Sequence, residues 1–241
     1  MLSLNDITIG YPGRVVARHL SARLARGTMT CLVGSNGAGK STLLKTVTTI
    51  LPPVRGSIMV NIPRAVDVRS LSPRERARCI GVVLTERTAP DNMRVREMVA
   101  MGRSPYTGFW GRLSAEDERV VDEAMAMTGV TAFAGTPVGS LSDGERQKVM
   151  IAKALAQQTP LIVLDEPTAF LDYPSKIAAM EMLRDLCHDR GKTVLLSTHD
   201  LDAALRITDS IWFMDGGTLR EGTVSAMKEE IGKFMKMSDL H

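Results

Sequence analysis

Aromatic residues make up only 4% of this chain of 241 residues, and a strong charge of either sign is missing, because 30 Lys and Arg stand against 27 Asp and Glu. A nearly neutral, aromatic-poor chain lacks both the cationic field and the stacking faces of a nucleic-acid surface. Cysteine is scarce as well. Cys31, Cys79 and Cys187 lie far apart with no C-x-x-C pair, which removes a disulfide framework and a metal knuckle and predicts reduced thiols in a cytosolic setting. No apolar run approaches the ~18 residues of a membrane span. Met1 to Asp6 does not have the pattern of a signal peptide. Repeats and low-complexity tracts are missing too. The length suits one large domain or two small ones with a sizeable core. The fifteen methionines read as core filler before they read as an adaptable docking surface.

What is present is a phosphate-binding pattern. Gly34, Ser35, Asn36, Gly37, Ala38, Gly39, Lys40 and Ser41 fit G-x-x-x-x-G-K-[ST], and Thr42 follows. Thr28 to Val33, just before it, is β-rich and apolar, as a short buried strand should be. Thr42 to Val47, just after it, can run as a helix. In that setting the glycines leave the backbone N–H groups free to converge on a phosphate, and the helix N-terminus adds partial positive charge. Lys40 can reach the β- and γ-phosphates, and the Ser41 hydroxyl can ligate Mg²⁺.

The rest of the chain predicts a frame around that loop. Leu2 to Ile9 alternates with one slip near Asp6, and Arg14 to Leu24 alternates loosely. Two antiparallel strands beside the nucleotide strand would form a β-subdomain. Gly56 to Val60 and Ile80 to Leu84 read as strands, and Ser72-Pro73 as a helix start. From Thr85 to Gln158 helical periodicity takes over, with a capping box at Ser114–Asp117 and a helix over Ser142 to Ala156. Leu161 to Leu164 is fully apolar, as in a central parallel strand. Helices over Pro174 to His188 and Asp200 to Ile207 alternate with a strand over Thr193 to Ser197. Strands over Ser210 to Met214 and Thr218 to Glu221 flank an Asp215-Gly216-Gly217 hairpin turn. The division is a core of 1–84 and 159–222, a helical insert of 85–158 and a polar tail of 223–241.

Asp165 and Glu166 end the apolar strand. Carboxyl ends of parallel strands are where such sheets bind ligands, so Asp165 is placed to hold Mg²⁺ and Glu166 to polarise a water. Ser142 is an N-cap at a helix start, which caps and can also receive an anion. His199 either contacts a γ-phosphate or caps the helix at Asp200. Tyr11 either packs or stacks on a base.

In this order the motifs resemble the ATP-binding subunit of an ABC transporter. The resemblance covers nearly the whole chain, and its most specific part is the signature Leu141 to Glu145. It implies an α/β fold with a P-loop NTPase (RecA-like) core, an antiparallel β-subdomain and an inserted helical subdomain. It also implies a head-to-tail homodimer, with ATP between the phosphate loop of one copy and Ser142, Gly144 and Glu145 of the other. Tyr11 would stack on adenine, Glu166 would be the general base, Lys40 and His199 would meet the γ-phosphate, and Asp172 would help join the dimer. Closure on ATP would drive a membrane permease, and through it a substrate-binding protein. The chain would sit peripherally on the cytoplasmic face of the cell membrane. Ala100 to Tyr106 resembles the importer subfamily for iron–siderophore complexes, haem and cobalamin, and the aromatic patch that follows suits an interface with the permease. An exporter subunit and a soluble ATPase of iron–sulfur cluster assembly are the alternatives.

Three departures from the family pattern stand out. Asp143 and Glu145 replace Gly and Gln in the signature. Phe170 occupies a position that is commonly small. Thr85-Glu86 stands where a glutamine is expected, so Thr85 is the candidate Mg²⁺ ligand there.

Overall fold

The computed structural model describes residues 1–84 and 92–238. Its centre is a six-stranded sheet in the order β10-β9-β3-β8-β7-β6. These strands are β3 (Met29–Gly34), β6 (Ile80–Val83), β7 (Leu161–Leu164), β8 (Thr193–Ser197), β9 (Ser210–Asp215) and β10 (Thr218–Thr223). β3 pairs in parallel with both β8 and β9, and β7 pairs in parallel with β6 and β8. The β9–β10 hairpin turns at Gly216-Gly217, as its sequence predicts. Strands buried on both faces need apolar residues at every position, and β7 supplies Leu-Ile-Val-Leu.

Alternation along the strands divides the core. Leu32, Leu161, Val163, Leu195 and Trp212 face α1 (Lys40–Val47) and the β-subdomain. Cys31, Val33, Ile162, Leu164 and Leu196 face the opposite layer, which is built from α6 (Tyr173–Arg190), α7 (Leu201–Ile207) and α8 (Val224–Ser238). The stretch read from sequence as a polar tail therefore contains a helix. Met227 and Ile231, four residues apart, bury one face of it. Buried Met29, Met98, Met125, Met180, Met214 and Met227 fit the reading of methionine as core filler.

The β-subdomain is a separate sheet in the order β2-β1-β4-β5, from β1 (Leu2–Tyr11), β2 (Arg14–Leu24), β4 (Arg55–Asn61) and β5 (Ala65–Asp67). This corrects the expectation that β1 and β2 lie beside the nucleotide strand, since both sides of β3 are taken by core strands. The slip in β1 is a register shift between Leu4 and Ile7, with Asp6 at φ 50°. Without it Leu4 and Ile7 would point to opposite faces; with it both are buried. Edge strand β2 exposes Arg14, Arg18, His19 and Arg23, and the Arg23 N–H donates to Glu221 on β10 at 2.5 Å.

The insert holds α3 (Val95–Ala100), α4 (Ala115–Met127) and α5 (Asp143–Ala156) around Val99, Val121, Ala124, Met125 and Val149. It is tied to the core by α2 (Pro73–Cys79), whose Arg74 and Arg78 both donate to the Pro105 carbonyl, at 2.9 and 3.1 Å. Within the insert, buried Arg103 donates to Asp117 at 2.8 Å, to the Ala156 carbonyl at 2.8 Å and to Gln158 at 3.0 Å. The Ser114 backbone N–H and hydroxyl and the Arg103 guanidinium hold the Asp117 carboxyl down to about 2. Its contribution to stability is complete above the ordinary carboxylate range and is lost as pH falls through about 2. Asp117→Ala strands a buried guanidinium and removes the α4 capping box. It is expected to cost about 3–5 kcal/mol at neutral pH, read from the urea midpoint. A loss under ~1 kcal/mol would mean that water replaces the carboxylate.

Candidate active site

The phosphate loop joins β3 to α1, as the sequence pattern requires. Gly34 ends β3 at φ 152°, and a Cβ there would lie 1.9 Å from the Met214 carbonyl oxygen on β9. Ser35 Oγ donates to Asp215 at 3.1 Å, and the Ala38 N–H closes the turn on the Ser35 carbonyl at 3.2 Å. Lys40 folds its ammonium over the loop, donating to the carbonyls of Gly34 and Ser35 at 2.8 and 2.9 Å. Burial pulls the Lys40 ammonium below its usual range, and the carboxylates of Glu166 and Asp165 pull the other way. That balance places both acids within electrostatic reach of the loop.

A cavity of about 430 Å³ opens over the loop. Asn36, Gly37, Gly39, Lys40, Ser41 and Thr42 form its floor, Glu166 and His199 one wall, and Tyr11 with Arg14, Val15 and Val16 the other. The last three were not singled out from sequence, because loose alternation does not say which residues of an exposed edge strand meet a cavity. Tyr11 is 42% exposed at the end of β1, so its ring is free to stack.

Asp165 and Glu166 leave β7 in different directions. Asp165 is buried and accepts from Ser197 Oγ at 2.7 Å. The same Ser197 Oγ accepts from the Glu166 N–H at 2.9 Å. Glu166 sits at φ 50°, a conformation that a non-glycine residue before proline rarely takes, and strain of this kind gathers at working sites. Its Oε1 lies 2.5 Å from His199 Nε2. The capping alternative for His199 is removed, because Asp200 itself accepts from the Ala203 N–H at 3.0 Å. Ser41 Oγ and the Asp165 carboxylate are hard oxygen donors of the kind that suit Mg²⁺. Among the described residues no cluster of three or more His, Cys, Asp or Glu forms a dedicated metal cage. Thr85, the third candidate ligand, lies outside the described residues.

Ser142, Gly144 and Glu145 do not line this cavity. They start α5, where Ser142 and Glu145 close a reciprocal capping box. Glu145 accepts from the Ser142 N–H at 2.9 Å and from its hydroxyl at 2.7 Å, and the Ser142 contacts hold the Glu145 carboxyl below its usual range. Glutamate at 145 fills the capping role that a glutamine could also fill, so the substitution keeps the start of α5 intact. Asp143 stands 3.7 Å from Arg146, so its charge is partly offset. A Cβ on Gly144 would lie 3.0 Å from the Phe170 carbonyl, which packs the signature turn against the segment leading to Asp172. Asp172 caps α6 by accepting from the Ser175 N–H at 3.2 Å.

The ABC transporter family profile matches residues 17–169, more than half of the chain. The iron(3+)-hydroxamate import ATP-binding protein FhuC of Bacillus subtilis is 36% identical over 223 residues, 92% of this chain and 82% of that protein. Among solved structures, a metal-chelate type ABC transporter in an inward-facing conformation aligns with TM-score 0.80 at 28% identity, covering 94% of this chain and 84% of the other. A dimeric ATP-binding cassette in a post-hydrolysis state with ADP and Pi aligns with TM-score 0.82 at 26% identity, covering 93% and 99%.

Proposed function

The chain belongs to the ABC transporter family, and on that premise we propose that it is the ATP-hydrolysing subunit of an importer for iron–siderophore, haem or cobalamin-type metal chelates. The observation that carries this reading is the likeness to FhuC along 92% of the chain. The fold likeness to a metal-chelate type transporter supports it. Among the described residues no helix is long and apolar enough to cross a membrane.

The positions of the site residues support the following roles. ATP binds in the cavity with its phosphates under the loop N–H groups and its base against Tyr11. Lys40 exchanges its two loop carbonyls for β- and γ-phosphate oxygens. Ser41 and Asp165 would hold Mg²⁺, which supplies charge neutralisation between the β- and γ-phosphates. Glu166 accepts the proton of the attacking water, and His199 fixes the carboxylate that does so. The signature at Ser142 to Glu145 lies outside its own cavity, which supports a role on ATP held by a second copy, with Asp172 at the seam. The Ser142 hydroxyl then turns from Glu145 to the partner's γ-phosphate. Asp143 and Glu145 put negative charge near that phosphate, so closure of the pair should weaken as salt is lowered.

The test is co-purification. The tagged chain, extracted from native membranes in mild detergent, is expected to bring down a polytopic membrane protein at equal stoichiometry together with chelate-dependent ATPase activity. A soluble scaffold with nothing from the membrane would move the function to cluster assembly, and a permease of exporter type would reverse the direction of transport.

A further inference from the structure

Within Ala100 to Tyr106, read from sequence as a docking stretch, Gly102, Arg103, Pro105 and Tyr106 are turned inward, while Met101 and Ser104 stay exposed. Gly102 packs so closely on α5 that a Cβ would lie 2.3 Å from the Lys153 carbonyl. Arg103 is buried against Asp117, and the Tyr106 hydroxyl donates to the Gln157 carbonyl at 2.9 Å. These residues form a pedestal, and the next turn stands on it.

That turn is built differently from every other part of the surface described so far. Phe109 is 97% exposed and Trp110 82% exposed, their rings edge to face at 5.4 Å. Gly108 and Gly111 flank them, and nothing lies within 4 Å of where a side chain on either would begin, so the pair projects into open space. The base of the turn is fixed, because Arg74 donates to the Thr107 carbonyl at 3.0 Å and the Gly111 N–H to the Gly108 carbonyl at 3.0 Å. Three guanidinium groups surround it. Among the described residues Arg74 and Arg78 bond to the carbonyls of Pro105 and Thr107, with Arg78 also 5.2 Å from the centre of the Tyr106 ring. Among the described residues no carboxylate meets Arg112, which is exposed. The carboxylates nearby are already engaged, Glu75 with Ser72 and Glu116 with Arg119.

We propose that the Phe109–Trp110 turn, with Arg74, Arg78 and Arg112 around it, is a membrane-interface anchor that inserts between the headgroups of an anionic lipid layer. Aromatic rings with one apolar face settle at the headgroup level, and arginines beside them are drawn to negative lipids. The shape of the turn favours lipid over protein. A stable protein interface buries about 800 Å² on each side with complementary surroundings, whereas this turn offers two rings on a narrow, glycine-flanked tip. A soft, deformable headgroup layer needs no complementary pocket. The turn thereby holds the helical insert at the bilayer independently of the permease. The inference rests on the membrane-bound reading only for its setting; vesicles without permease test it, so the two fail separately.

The chain contains two tryptophans, and Trp212 is 1% exposed, so Trp110 reports the turn. With phosphatidylcholine vesicles carrying phosphatidylglycerol, the emission of the purified chain is expected to shift to the blue and the chain to co-sediment. Phe109→Ser with Trp110→Ser should lower the bound fraction about tenfold, and Arg112→Gln about fivefold on anionic vesicles only. Both variants should hydrolyse ATP in detergent at the wild-type rate. Co-sedimentation of the unmodified chain needs no substitution and guards against a misfolded variant. Absence of binding at every lipid composition would overturn the proposal, as would a shift seen only in membranes that contain the permease, which would assign the pair to a protein contact.

Discussion

Glu166→Gln is expected to bind ATP about as well as the natural chain and to hydrolyse it roughly 10³-fold more slowly, leaving an ATP-bound dimer on gel filtration. The amide keeps the 2.5 Å contact to His199 and the volume of the carboxylate, and it loses only the capacity to take a proton. Because the Glu166 N–H is tied to Ser197 through the backbone, the substitution leaves the strained main chain at φ 50° in place. Single-turnover rates with preloaded ATP separate chemistry from binding. Turnover at the natural rate would remove Glu166 as the base and leave it as an anchor for His199. A fall in ATP affinity of similar size would instead mean that the side chain shapes the cavity.

The second large effect belongs to Gly34→Ala. A methyl group would be driven to 1.9 Å from the Met214 carbonyl, and the backbone on that side is a paired strand that cannot swing aside. The φ of 152° is also one that alanine avoids. The two costs together should reach about 3 kcal/mol or more. Separation of β3 from β9 would also displace the carbonyls that Lys40 holds, so nucleotide affinity should fall about 100-fold. Gly37→Ala is the control. It has φ 77° with nothing within 4 Å of the added carbon, and it should cost only about 1 kcal/mol. Urea midpoints and titration with a fluorescent ATP analogue read both quantities. Equal losses at the two positions would mean that conformation, not crowding by Met214, sets the requirement for glycine at 34.

Much of this was legible because the deciding physics is local. The bulge at Asp6 shows as a broken alternation, the hairpin as Asp-Gly-Gly, and the capping box at Ser114 as a spacing. The phosphate loop was legible for the same reason. What was misread depended on distant partners. Their sequence puts β1 and β2 beside β3, because nothing in their own residues says that β8 and β9 take both its edges. The stretch over Val224 to Ser238 reads as a polar tail, although Met227 and Ile231 carry the helical spacing that the structure shows. Glu145 looked like a defect in a signature until the reciprocal bonds to Ser142 gave it a task. Ala100 to Tyr106 reads from sequence as a docking stretch, but a motif does not state that Gly102, Arg103 and Pro105 within it are buried while Met101 and Ser104 are exposed. The wall formed by Arg14, Val15 and Val16 had no signal at all, because it exists only where β2 passes the loop.

The cationic edge of the small sheet bears on the state of this chain before it meets nucleotide. An open strand edge is a template for fibrils and for unplanned pairing of identical chains. Here Arg14, Arg18 and Arg23 make β2 repel a copy of itself, and Glu221 occupies the Arg23 N–H. Solubility is thereby guarded at the place where self-templating would begin, and copies are left to pair elsewhere. Neutralising Arg18 and Arg23, which do not line the nucleotide cavity, should appear first as turbidity during storage or expression, at concentrations where catalysis and unfolding temperature still look normal.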